Sequence, residues 1–187
     1  MAWVPEYSDG CPKVGVLGDS IATLIWDELS AQPWSITGAF WPGVSCWDIR
    51  DNGWHLDLAI SRPDHVVMIA GTNDCHLLNS YWNGFGELLL QAELLDAFPT
   101  ATVHWVNLFE FMPNQPGVDV QAHSQGFNDA LEFWAGQYPN LRLVDWNGAV
   151  QYQYAAGTDL RQADGVHPNQ AGQDTLCGMV AASIGGN

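Results

Sequence analysis

The chain has 187 residues, 47% of them apolar, and its 21 acidic residues against 5 basic ones give a formal charge of −16. That length supports one full hydrophobic core, and nothing in the sequence resembles a dividing linker, so one domain over residues 1–187 is expected. The acidic balance removes the basic footprint that nucleic acid needs and would be repelled by an anionic membrane surface, so neither is expected as a partner. Met1–Glu6 holds no basic stretch leading into an apolar one, and no later run approaches the length of a membrane span. The chain therefore reads as soluble, with no export signal or membrane insertion. Its compartment and oligomeric state stay open.

The first element is Lys13–Leu17, short, apolar and β-branched, as a fully buried parallel strand should be. It runs into Gly18-Asp19-Ser20, and from Ile21 to Leu29 apolar residues fall at helical spacing. A second strand is expected over about Trp34–Phe40, turned by Trp41-Pro42-Gly43, then a helix over Trp47–Ile60 interrupted at Asn52-Gly53. His65–Ala70 is the clearest buried strand and leads directly into Gly71-Thr72-Asn73-Asp74. A helix over Phe85–Phe98, a strand over Ala101–Leu108, an apolar loop over Phe109–Pro116 and a helix over Val120–Tyr138 follow. The fifth strand is Leu141–Val144, and after a long connection the terminal helix spans Asn169–Ile184, with Pro168 suited to its first position.

Strand and helix alternate throughout, which predicts a parallel five-stranded sheet covered by helices on both faces, a three-layer α/β/α fold. In such sheets ligands bind beyond the carboxyl ends of the strands, and Ser20, Gly43 and Asn73 each follow a strand. In a flavodoxin-like order of 2-1-3-4-5 the serine sits on the central strand with its two partners beside it. Asp164 and His167 would start about three strand spacings away, roughly 15 Å, a distance the connection after Asp145 can cross.

A serine hydroxyl needs a base to take its proton, and a neutral imidazole does so near pH 7. His167 is the candidate base. Asp164, three residues earlier in a glycine-containing turn, can accept the other ring N–H and fix the tautomer. Attack on an ester carbonyl creates an oxyanion that needs donors already aimed at it. The backbone N–H groups of Ser20 and Gly43 and the side-chain amide of Asn73 are the candidates, Asn73 being neutral where an aspartate would repel the charge. Asp19 and Asp74 read as residues that hold their turns by hydrogen bonds.

The segments Gly18-Asp19-Ser20, Gly43, Gly71-Thr72-Asn73-Asp74 and Asp164-x-x-His167-Pro168 resemble blocks I, II, III and V of the SGNH (GDSL-type) hydrolases, in the family's order over nearly the whole chain. The resemblance implies the SGNH hydrolase fold, a Ser20, His167, Asp164 triad and an oxyanion hole from Ser20, Gly43 and Asn73; the chemistry itself calls for no cofactor or metal. Block I departs from the family at Ile21-Ala22, where leucine and serine are common. Block II is marked by little more than a glycine, with Gly38 and Gly53 as the nearby alternatives to Gly43.

His55, His65, His76, His104 and His123 lack metal-ligand spacing and read as surface or satisfied core residues, His76 being the least settled because it follows block III closely. Cys11, Cys46, Cys75 and Cys177 lack metal-type spacing, and only Cys46 and Cys75 lie where two converging loops could join them in a disulfide. Ten tryptophans are many for this length. Trp41, Trp47, Trp54 and Trp82 lie near segments that should border the site, with faces that suit sugar rings or acyl chains. Phe109, Phe111 and Met112 are candidates for an acyl pocket.

The expected activity is a serine hydrolase cleaving carboxylic esters through an acyl-enzyme. With no obvious lid, short acyl groups such as O-acetyl on a carbohydrate are favoured, so a small-molecule or glycan ester is the expected partner. The alternatives are a lipase or thioesterase, an acyltransferase, an α/β-hydrolase using Gly18-x-Ser20-x-Ala22 as its nucleophile elbow, a nucleotide-binding flavodoxin relative, and a carbohydrate-binding or assembly module without catalysis.

Overall fold

Five short runs of β-branched and apolar residues form the strands β1 (Lys13–Gly18), β2 (Ser35–Phe40), β3 (His65–Ile69), β4 (Thr102–Val106) and β5 (Leu141–Val144). All neighbouring pairs are parallel, and the order is β2-β1-β3-β4-β5. The structure is a computed structural model that describes residues 10–76 and 85–185. The central strands are buried on both faces: Val14, Val16, Leu17, Val66, Val67, Met68, Val103 and Trp105 are all fully covered, which is why they read as unbroken apolar runs.

The helices are α1 (Ser20–Leu24), α2 (Trp26–Ser30), α3 (Cys46–Asp51), α4 (Trp54–Ile60), α5 (Thr72–His76), α6 (Phe85–Asp96), α7 (Val120–Ala135), α8 (Trp146–Ala155) and α9 (Gln170–Gly185). Successive residues of β4 show the two outer layers. His104 reaches Ser183 of α9 at 2.6 Å, whereas Trp105 packs edge-on against Phe127 of α7 with ring centroids 6.1 Å apart. The helix α2 packs with α9, and α3, α6 and α7 pack in series. The result is the expected α/β/α sandwich.

Four local expectations are corrected. The run Ile21–Leu29 is two short helices that meet at Ile25, because the apolar spacing continues through the bend and hides it. The connection after β5 contains α8, started by Asp145, whose side chain accepts the Gly148 N–H, and buried only at Trp146 and Val150. Pro168 does not open the last helix: it pairs with Arg161 in an isolated bridge, and Asn169 caps α9 by accepting the Gly172 N–H at 3.0 Å. Cys46 and Cys75 are buried thiols rather than a disulfide; their loops do converge, but through the carboxylate of Asp74.

Two glycines are fixed by space. A Cβ on Gly18 would lie 2.5 Å from Ala22 Cβ and 2.7 Å from the Ile69 carbonyl. One on Gly71, whose φ is +123°, would lie 2.4 Å from the Phe127 ring. Both stand where a strand enters its loop, and the close approach brings the two loops to one edge of the sheet.

Candidate active site

Ser20 opens α1 directly after β1. Asp19 caps that helix, its Oδ1 accepting the Ile21 N–H at 2.8 Å, and its own N–H donates to the Ile69 carbonyl at 3.0 Å. The Trp41 N–H donates to the Gly18 carbonyl at 3.2 Å. The ends of β2, β1 and β3 are therefore tied together, and the serine is fixed at their common carboxyl edge.

The long segment after α8 crosses back over the sheet. Leu160 is buried beneath it, the Asn169 side chain donates to the carbonyls of Asp159 and Arg161, and the Gln162 N–H donates to the His167 carbonyl at 2.7 Å. These contacts set His167 with Nε2 2.8 Å from Ser20 Oγ and Nδ1 2.8 Å from Asp164 Oδ2. The other carboxylate oxygen of Asp164 accepts the N–H groups of Val166 at 2.9 Å and His167 at 3.0 Å. Gly165, at φ +73°, gives the turn its left-handed step. Slight burial pushes the Asp164 pKa up, but the two N–H bonds and the imidazole outweigh it and hold the carboxyl below its ordinary value. A charged carboxylate, an imidazole and a hydroxyl in this chain can move the hydroxyl proton to the ring and stabilise the imidazolium that results.

Opposite the imidazole, Trp41-Pro42-Gly43-Val44 is a tight turn closed by the Val44 N–H on the Trp41 carbonyl at 3.2 Å. Gly43 sits at φ +84°, the position that glycine fills after proline in a type II turn. Asn73, in the first turn of α5, donates one amide hydrogen to the Val44 carbonyl at 2.8 Å, which orients the amide and leaves its second hydrogen to serve a ligand. Gly38 lies within β2 against Phe40 and Trp26, and Gly53 is the left-handed cap between α3 and α4. Of the three glycine candidates, Gly43 is the one at the cleft.

The cleft, about 380 Å³, is lined by Ser20, Gly43, Asn73, Asp164 and His167 together with Pro42, Thr72, His76, Gln115 and Val166. A shallower depression of about 280 Å³ lies on the other side of the Ser20–His167 pair, against Thr23, Leu24 and Gln162. The Ser20–His167 pair thus stands between two open spaces. His76, which sequence spacing left among structural histidines, lines the cleft and is joined through Nδ1 to Gln115 Nε2 at 2.6 Å. Burial lowers its pKa and favours the neutral ring.

Beneath the cleft lies a pair of carboxyls. Asp19 is fully buried, and its Oδ2 has no hydrogen-bond partner. Asp74 is 3% exposed and accepts the Cys46 N–H through both oxygens, at 2.8 and 3.1 Å. Asp74 thus ties the block III loop to the segment after Gly43, a reach across the fold that its place in the motif does not disclose. Burial, with a contribution from Asp74, pushes the Asp19 pKa up to about 7. Burial likewise pushes Asp74 up, against the N–H bonds that favour its charge.

The aromatic candidates separate. Trp41 is 69% exposed next to Pro42 at the cleft rim. Trp47 and Trp54 pack against the core, Trp47 with the Arg50 guanidinium over its ring at 4.4 Å, and neither lines the cleft. Trp82 lies outside the described residues. Phe109 and Met112 line a small apolar cavity of about 10 Å³ that shares Thr72 and Val166 with the cleft. Phe111 points instead to a separate groove. Among the described residues there is no cluster of metal-ligand side chains, and no helix is long and apolar enough to cross a membrane.

Comparison with known proteins identifies the family and the fold. The sequence profile of the GDSL-like lipase/acylhydrolase family matches residues 16–175. No curated protein matches the chain significantly. Among solved structures, a lipase/acylhydrolase from Enterococcus faecalis superposes with a TM-score of 0.75 at 20% identity, covering 93% of this chain and 96% of that one. A catalytic mutant of an acetylxylan esterase from Geobacillus stearothermophilus superposes at 0.72 with 16% identity over 99% and 97%. The C-terminal catalytic domain of peptidoglycan O-acetyltransferase A from Streptococcus pneumoniae superposes at 0.65 with 17% identity over 93% of each chain. The profile spans all four motifs and the fold is shared, so the chain belongs to the GDSL-like lipase/acylhydrolase family and is a carboxylic ester hydrolase of the SGNH type.

Proposed function

We propose that Ser20, His167 and Asp164 form the catalytic triad of an esterase that removes short acyl groups, with O-acetylated carbohydrate as its substrate class. The observation that carries this reading is the unbroken chain Ser20 Oγ, His167 Nε2, His167 Nδ1, Asp164 Oδ2, with 2.8 Å at both contacts, at the floor of an open cleft. Ser20 Oγ attacks the acyl carbonyl as its proton passes to His167 Nε2. The tetrahedral oxyanion is held by the N–H groups of Ser20 and Gly43 and the second amide hydrogen of Asn73. Collapse breaks the bond to the alcohol, whose oxygen takes the proton from His167. Water then attacks the acyl-enzyme while His167 takes a proton from it, and collapse of the second tetrahedral intermediate releases the acid as His167 returns that proton to Ser20 Oγ.

The small acyl group is supported by the apolar cavity next to the cleft, whose volume of about 10 Å³ holds no more than a water-sized body. It leaves no room for an acyl chain to extend past Met112 or Phe109. Water as the acceptor is supported by exposure of the dyad, the side chains of His167 and Asp164 being 32% and 46% accessible. The carbohydrate alcohol is supported by the open flanking depressions, with polar Gln115 and Gln162 on their walls.

The test is turnover of p-nitrophenyl esters of increasing chain length, beside labelling by a fluorophosphonate. Labelling that Ser20→Ala abolishes, and a rate falling beyond acetate and propionate, is expected. Folded wild type that takes no label would sink the triad, and a rate rising with chain length would sink the short-acyl preference.

A further inference from the structure

Behind the Asp164–His167 turn lies a second groove, about 440 Å³, lined by Phe109, Phe111, Gln151, Tyr154 and Arg161. Its rings are displayed at a cost: Phe111 is 54% exposed and Tyr154 62%, and clustered exposed aromatics mark ligand surfaces more often than isolated ones do. The rings of the groove also contact one another and the arginine between them. The Arg161 guanidinium lies 4.4 Å from the Phe109 ring centroid and 5.4 Å from that of Tyr154, and Phe109 and Phe111 are 5.8 Å apart.

The charge at the groove is already compensated. Arg161 Nε and Nη2 donate to the two oxygens of Asp159 at 2.9 and 3.0 Å, so the cation has little pull left for an anionic ligand. A chain of formal charge −16 adds no attraction for one either. A hydroxyl-rich, uncharged ring fits better. It offers C–H faces to Phe111 and Tyr154, and a rim of hydroxyls to the Gln151 amide and the outer guanidinium hydrogens.

The groove and the triad turn share a wall. Arg161 pairs with Pro168, the adjacent Gln162 donates to the His167 carbonyl, and Pro113, from the loop that carries Phe109 and Phe111, stands 3.0 Å from where a Gly165 Cβ would be. We propose that the Phe111–Tyr154–Arg161 groove is a sugar-binding subsite that seats an uncharged glycan ring of the substrate while another ring presents its ester to Ser20. This rests on the carbohydrate-ester reading above and adds where the rest of the glycan binds.

The experiment compares wild type with Phe111→Ala, Tyr154→Ala, the double variant, and the ring-conserving Phe111→Tyr and Tyr154→Phe, each checked for its fold by circular dichroism. The substrates are acetylated xylo-oligosaccharides and p-nitrophenyl acetate. The double variant should lower the ratio of kcat/KM between the two substrates at least 10-fold, mainly through KM for the oligosaccharide, and the ring-conserving variants should restore it. Calorimetric titration of unacetylated xylo-oligosaccharide and cello-oligosaccharide into Ser20→Ala should show binding that the added double substitution removes. Unchanged ratios, or no binding of either oligosaccharide to Ser20→Ala, overturn the subsite. Failure of wild type to cleave any ester would instead overturn the hydrolase reading, which the titration does not depend on.

Discussion

Two aspartates flank Ser20 in opposite circumstances. Asp164 is largely exposed, accepts two N–H groups and the imidazole, and is held below the ordinary carboxyl pKa. Asp19 is fully buried with one oxygen unpartnered and a second buried carboxyl, Asp74, close enough to raise it further. The same side chain is thus a dependable anion on the imidazole side and a group inclined to keep its proton beneath the hydroxyl. In the proposed mechanism this division favours turnover, because negative charge helps an imidazolium and hinders an oxyanion.

The largest expected effect comes from removing the reactive pair itself. Ser20→Ala or His167→Ala should lower kcat by at least about 10⁴-fold with thermal unfolding little changed, checked by esterase assay and calorimetry. Asp164→Asn tests the exposed side, and a loss of roughly 10³ to 10⁴-fold is expected from the wrong ring tautomer. Its effect on stability should be slight, since a solvent-exposed ion pair contributes little. Asn73→Asp carries a charge of the wrong sign into the oxyanion position. It should lower kcat roughly 100 to 1,000-fold with stability nearly unchanged, and an intact kcat would withdraw Asn73 from that role.

The buried side is tested by Asp19→Asn, which copies the protonated acid and cannot ionise. Because the Asp19 pKa rises from 3.8 unfolded to about 7 folded, its contribution is fully present below the unfolded value and is lost as pH climbs through the folded one. Wild type should therefore lose stability relative to Asp19→Asn between about pH 4 and pH 7, by an amount on the order of a few kcal/mol. Urea midpoints of the two proteins at pH 4, 6 and 8 measure it. Parallel curves would mean that Asp19 carries its charge throughout. The smallest effect concerns turnover: above pH 7 the variant should hold its kcat where wild type falls by a few-fold, as ionised Asp19 opposes the developing oxyanion.

The sequence disclosed the strands and the site far better than the turns between them. Val14–Leu17 and Val66–Ile69 are buried on both faces, so composition alone marks them. Ser20, Asn73, Asp164 and His167 stood in recognisable motifs, whereas Gly43 was one of three candidate glycines, and all five meet at one cleft. The helix α8 escaped because Gln151, Tyr152 and Tyr154 face outward and only Trp146 and Val150 are buried, too few to show a period. The bend at Ile25 escaped for the opposite reason, since apolar residues continue through it. The proline rule failed at Pro168 because a bridge to Arg161 outweighed a local preference. Nothing in the spacing of Asp19 and Asp74 shows that they approach one another, because that proximity exists only after β1 and β3 pair side by side.

The Ser20 hydroxyl and the His167 imidazole are 147 residues apart, with four of the five strands completed between them. During synthesis Ser20 leaves the ribosome before His167, and the contact between them cannot form until the segment carrying Asp164 and His167 has followed and docked. A chain cut before Asp164 therefore keeps its hydroxyl without the imidazole, a delay that comes from chain order alone.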